Sequence, residues 1–268
     1  MTPRDAFLRA CALDVQVRKP GNVSLASPGH RMVAAQFIDS EHAAAGPLFA
    51  PGTPLGERVE RAVSASWAAA GCNTNLGIVL LAAPLALAAE RGVTPAAVLG
   101  TLDDADAQAV FRAIAAANPG GLGDAPQGDV RAAPRIGLVD AMALAAGRDL
   151  IARQYANGFA EVLDAIRVLQ RSGFALNAAT EAAVQRVFLH WLSNFPDSHI
   201  VRRHGEAVAQ NVMSAAQGWS DRAVPGEDPA FAEWDETLKA AAINPGTSAD
   251  LTVATLFGTE IAGAWHGT

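Results

Sequence analysis

From Leu76 to Ala89 no side chain can ionise or hydrogen-bond, and directly before this run stands Gly71-Cys72-Asn73-Thr74-Asn75. The run falls short of the ~20 apolar residues that a membrane-spanning helix needs. It predicts a helix buried in a core, so the rest of the chain has to supply apolar faces to wrap it.

Helix signals recur on both sides. Thr2-Pro3-Arg4-Asp5 is a capped start with proline at the first helical position, followed by a face of Phe7, Leu8 and Cys11. Leu55 to Ala70 carries Val59, Val63 and Trp67 four residues apart and stops at Gly71, a C′ glycine. Thr94-Pro95 starts another helix, and Asp103 to Ala117 presents Val110, Phe111 and Ile114. Further helices are predicted near 138–156, 158–171, 178–194, 198–217, 229–242 and 248–264, and no segment alternates with period two over strand length. Half the chain is hydrophobic but only 6% is aromatic, which favours close-packed helices over β-branched strands. The expectation is an all-α fold: a single compact multi-helix domain over residues 1–268, with the Gly/Pro-rich stretch Asn118–Pro134 as its longest irregular segment.

The formal net charge of −7 and pI near 5.3 argue against a nucleic-acid surface, so an anionic ligand would need a local cationic pocket. Cys11 and Cys72 make neither a metal spacing nor a disulfide framework, and the N-terminus lacks a signal-peptide layout. Both point to a reduced, cytoplasmic protein without a membrane span.

Several polar islands interrupt the helices. Lys19-Pro20-Gly21-Asn22 ends the first helix, either as a plain turn or as a rigid turn that offers a lysine to phosphate oxygens. His30-Arg31-Met32 opens the second helix. In Asn73-Thr74-Asn75 one residue suffices as a cap, so the remaining groups must find other partners or a ligand. Pro119-Gly120-Gly121-Leu122-Gly123 with Asp129 has the look of a lid ending in a carboxylate. Asp197 caps a helix that places His199, Arg202 and Arg203 on one side, followed by His204; this is either a solvated charged face or a site. Asn244-Pro245-Gly246-Thr247-Ser248-Ala249-Asp250 leaves Asp250 in a first helical turn, as a dipole partner or a metal ligand. Carboxylates on helix starts, asparagines, a lysine and an Arg/His cluster suit Mg²⁺-dependent handling of a nucleotide phosphate chain.

Taken in order, KPGN, HRM, GCNTNLGI, GGLG…DV, DSHIVRRHG and NPGTSADL resemble the triphosphoribosyl-dephospho-CoA synthase family from about residue 10 to 258. At Asn75 and at Asp197-Ser198-His199 the chain is closer to a CoA-synthase-like side branch of archaea and methylotrophic bacteria than to the lyase-associated branch. The resemblance implies an all-helical, ATP-dependent transferase that expels adenine and joins the triphosphoribosyl group to a hydroxyl such as that of 3′-dephospho-CoA. A pterin-like acceptor from one-carbon cofactor synthesis is the alternative, followed by an N-glycoside hydrolase and a non-catalytic nucleotide-binding protein. On this reading Mg²⁺ is held by two or three of Asp129, Asp197 and Asp250. The nucleotide and its phosphates are bound by Lys19, Asn22, Asn73, Thr74, Asn75, Arg202, Arg203 and His204. Asp197 or His30 moves the protons, and a homodimer is the expected assembly.

Overall fold

In the computed structural model, which describes residues 1–117 and 136–265, the apolar run is a helix among fourteen. In chain order they are α1 (Pro3–Gln16), α2 (Ala34–Leu48), α3 (Leu55–Ala70), α4 (Leu76–Arg91), α5 (Pro95–Leu99), α6 (Asp104–Ala117) and α7 (Leu138–Ala145). Then follow α8 (Leu150–Ala156), α9 (Ala160–Arg171), α10 (Glu181–Asn194), α11 (Ser198–His204), α12 (Glu206–Ser220), α13 (Pro229–Ala240) and α14 (Gly246–Ile261). Among the described residues there is no strand, and no helix is long and apolar enough to cross a membrane. The all-α expectation holds.

α4 is buried from Leu76 through Ala88 and packs along α14, which is nearly as buried. Pro84 stands inside α4, where its missing N–H leaves the Leu80 carbonyl without a helical partner. The buried Tyr155 hydroxyl on α8 donates to that carbonyl at 2.7 Å. Phe7, Phe49 and Phe257 close the contact of α1, α2 and α14 with ring centroids 5.6–6.0 Å apart. A second apolar cluster joins α10, α11, α12 and α13, with the Trp219 and Trp234 rings stacked at 6.2 Å.

Most predicted starts and stops are where the cap residues put them: Thr2, Thr94 and Asp197 accept first-turn amides, and Gly71 is left-handed at φ 70°. Four expectations are corrected. α14 starts at Gly246 rather than 248, which puts Asp250 in its second turn and not its first. The helix over 198–217 is broken at Gly205, whose φ of 86° ends α11 and starts α12. The helix over 138–156 divides because Asp149 caps a fresh start, accepting from the amides of Ile151 and Ala152. His30-Arg31-Met32 does not open a helix: His30 and Arg31 are left-handed at φ 55° and 63°, Gly29 pairs with Met32, and α2 begins only at Ala34. The proposed lid with Asp129 lies outside the described residues.

Candidate functional site

Side-chain bonds made across elements draw the starts of α8, α11 and α14 together, and a close approach adds the start of α4. Asp197 Oδ1 accepts from the amides of His199 and Ile200 at 2.9 and 3.1 Å, while Oδ2 accepts from Ser248 N and Oγ at 2.7 and 2.8 Å. One carboxylate thus ties α11 to α14. Ser198 Oγ accepts from the Leu150 amide at 2.8 Å, and Arg202 pairs with Asp149 at 2.6 Å, which adds α8. The loop before α2 is fastened by Asn22 to Asn244 at 3.1 Å and by the Gly21 amide to Asp235 at 2.8 Å. Asp250 lies against Gly77 in the first turn of α4, so closely that a Cβ there would meet Oδ2 at 2.0 Å. The positive ends of α4 and α14 therefore face the same space.

That space is a cavity of about 1140 Å³, larger than the ~300–1,000 Å³ that holds one small ligand. Arg31, Arg148, Arg202, Arg203 and Lys239 contribute cations to its wall, and His204 lines it as well. Arg202 and Lys239 are spent partly on Asp149 and Asp235. Arg31, Arg148 and Arg203 form no ion pair among the described residues. In an acidic protein this is the local cationic pocket that an anionic ligand requires. Asp14 and Asp250 face the same cavity from α1 and α14.

The acids behind this wall are held out of water. Burial pushes the Asp250 carboxyl well above the usual range, and neighbouring Asp14 and Asp197 push it further. Burial raises Asp14 as well, against the opposing pull of Lys19. Glu41 is raised well above its ordinary value by burial and then by Asp14. Glu41 Oε1, Asn22 Oδ1 and Asn75 Nδ2 are buried without a hydrogen-bond partner, whereas Asp14 Oδ1 has the Lys19 ammonium at 3.1 Å. An orphaned buried polar atom costs about 1–3 kcal/mol, and of these three residues Asn22 lines the cavity, where a ligand group would relieve it. His199 also lines the cavity; burial first, then Arg202 and Arg203, lower its pKa to about 4, so its ring is neutral at pH 7.

The cavity brings together most of the residues singled out from sequence: Asn22, His30, Asn73, Thr74, Arg202, Arg203, His204 and Asp250. Three are placed elsewhere. Lys19 is fully buried, donates to the Asp14 backbone carbonyl and lies 3.1 Å from Asp14 Oδ1, so it neutralises an acid rather than reaching a phosphate. Asn75 borders a small void beside the cavity and makes no side-chain cap; Asn73 does that by accepting from the Leu76 amide at 3.2 Å. Asp197 is fully buried with two donors on each oxygen, which leaves it no lone pair for a metal or a proton in flight. Asp129 is outside the described residues. Asp14, Glu41, Asp149, Arg31, Arg148 and Trp67 were not singled out as site residues by sequence. The one local signal was an acid set between apolar neighbours, as in Leu13-Asp14-Val15.

A crystal structure of an Archaeoglobus fulgidus protein, described as a candidate triphosphoribosyl-dephospho-CoA synthase, matches this fold with TM-score 0.68 and 25% sequence identity, over 86% of this chain and 99% of that one. No relative among the curated proteins matches. The family model described as ATP:dephospho-CoA triphosphoribosyl transferase, CitG, matches residues 1–267. With the helical fold, the cation-walled cavity and a match over nearly its whole length, the chain belongs to the CitG family of ATP:dephospho-CoA triphosphoribosyl transferases.

Proposed function

We propose that the protein moves the triphosphoribosyl group of ATP, with loss of adenine, to a hydroxyl of 3′-dephospho-CoA, and does so in the cavity at the starts of α4 and α14. The observation that carries this reading is that Arg31, Arg148 and Arg203, without an ion pair among the described residues, line the same cavity of about 1140 Å³ as the carboxylates of Asp14 and Asp250.

Mg²⁺ belongs to the reading. Among the described residues no group of three His, Cys, Asp or Glu could hold a metal ion. Mg²⁺ needs fewer, since it is commonly held by one or two carboxylates with substrate phosphates and waters. Asp250 would hold it, with Asp14 as the second carboxylate, because both face the cavity. Asp197 does not fit, its oxygens being filled. When bound, the ion would neutralise the triphosphate charge.

The remaining work falls to the chain. Arg31, Arg148 and Arg203 bind phosphate oxygens, and Arg202, fixed by Asp149, keeps the wall in shape. The C1′–N9 bond breaks with its electron pair leaving on adenine, which takes up a proton, and the acceptor oxygen bonds to C1′. The proton of that hydroxyl needs a base. His199 is neutral and half-enclosed in the cavity wall. His30 Nε2 lies 2.7 Å from the Gly21 carbonyl, so it carries the hydrogen and leaves Nδ1 as the free nitrogen. These two replace Asp197 as the proton-moving groups.

Incubation with ATP and Mg²⁺, with and without dephospho-CoA, followed by chromatography, tests the proposal. Adenine released only with the acceptor is the expected result. Adenine released without any acceptor would mean hydrolysis, and none at all while ATP binds would reject transfer for these substrates. A pterin-type acceptor run in parallel decides the alternative acceptor.

A further inference from the structure

The face of α3 that the four-residue spacing marks as apolar is only partly a core face. Val59 is fully buried and Val63 is 4% exposed, whereas Trp67, one turn on, is 40% exposed. An indole is the largest apolar side chain the chain can bury, and leaving it open forfeits that gain. Trp67 is open towards the cavity, together with Phe37 of α2 and Phe111 and Ile114 of α6. It also borders the small side void that Asn75 lines, and there the Asn75 amide nitrogen, 2% exposed, has no acceptor. An open aromatic wall lining a cavity is the chemistry that takes a purine, whose ring stacks on it.

The arginines of α11 stand on another wall. α3 packs on α2 and α6, whereas α11, which carries Arg202, Arg203 and His204, packs on α12 and α14. A nucleotide lying between these walls has its base at one and its phosphates at the other. Resting on the nucleotide-transferase reading above, we infer that Trp67 is the stacking platform for the adenine base of a bound nucleotide. Two adenines enter the reaction, one in ATP and one in dephospho-CoA, and both have the chemistry this wall takes.

Binding of ATP, dephospho-CoA and tripolyphosphate to the wild type, Trp67→Ala and Trp67→Phe, followed by calorimetry, tests it. Stacking on an aromatic side chain accounts for ~1–3 kcal/mol per base, so Trp67→Ala is expected to weaken one nucleotide by ~5- to 150-fold. Trp67→Phe, which keeps a ring, should recover most of that loss, and tripolyphosphate should bind all three proteins alike. The nucleotide that weakens identifies the adenine on the platform. Unchanged affinity of Trp67→Ala for both nucleotides overturns the inference, and so does an equal loss for tripolyphosphate, which would mark general damage to the cavity. If the wild type binds tripolyphosphate but neither nucleotide, there is no base site and the inference again falls. If it binds none of the three, the donor reading fails and the inference with it.

Discussion

A methyl group on Gly77 would lie 2.0 Å from Asp250 Oδ2 and 2.8 Å from Ile151 Cδ1. Gly77→Ala therefore has to push the Asp250 carboxylate off the start of α4, and kcat/KM is expected to fall at least ~10-fold with a modest loss of stability. Steady-state kinetics with a parallel thermal melt separates the two effects. Asp197 makes the opposite case. A bare N-cap tolerates asparagine, but here an amide must turn one NH₂ towards the amides of His199 and Ile200 or towards Ser248. Asp197→Asn should cost about 1–3 kcal/mol and lower Tm by roughly 5 °C. An unchanged Tm with lost turnover would restore Asp197 to the chemistry. Sequence alone marks Asp197 and Asp250 through the helix starts it predicts beside them. It could not separate them, because what distinguishes them is a serine 51 positions from Asp197 that fills one carboxylate and leaves the other open. Asp14 and Glu41 escaped altogether, since acids on α1 and α2 come together only when the helices pack.

At the level of elements, α4 depends on a donor from outside itself. Tyr155→Phe is expected to orphan the Leu80 carbonyl and destabilise the fold by about 1–3 kcal/mol. In a Pro84→Ala background the restored N–H takes over that carbonyl, so the same change should cost clearly less; a double-mutant cycle by urea denaturation measures the difference. Equal costs in both backgrounds would show that the hydroxyl supports something else. The helices themselves were legible wherever a cap or a breaker is local: Thr2-Pro3, Gly71 and Thr94-Pro95 each do their work within one turn. Gly205 was passed over because apolar periodicity continues across it, and only its left-handed backbone ends α11. The turn at His30-Arg31 was illegible for a related reason. Two non-glycine residues at positive φ go against local preference, and the bond from His30 to the Gly21 carbonyl is among the contacts that hold them there.

For the whole molecule, acid sensitivity has two opposing sources. His199 has an ordinary pKa of 6.5 and a folded one of about 4. As pH falls below 6.5 the unfolded chain takes up this proton first, so His199 removes stability between about 6.5 and 4, by at most ~3 kcal/mol. Asp14, Glu41, Asp197 and Asp250 are raised in the folded state and act with the opposite sign: their contribution is fully present below their ordinary values and is lost as pH rises. The net curve therefore mixes both, and the difference between wild type and His199→Gln isolates the histidine. The variant should gain on the wild type as pH falls from 7 to 4.5 in urea denaturation; a gap independent of pH would mean that the ring is not held neutral. Both lysines are engaged within the fold. Lys19 is sealed against Asp14, and Lys239, its side chain 6% exposed, is held by Asp235 and the Ser27 carbonyl. The folded surface consequently offers amine-directed reagents almost no side-chain target, so acylation of Lys19 and Lys239 would serve as a clock for opening of the 17–29 loop, counted by mass spectrometry one label at a time.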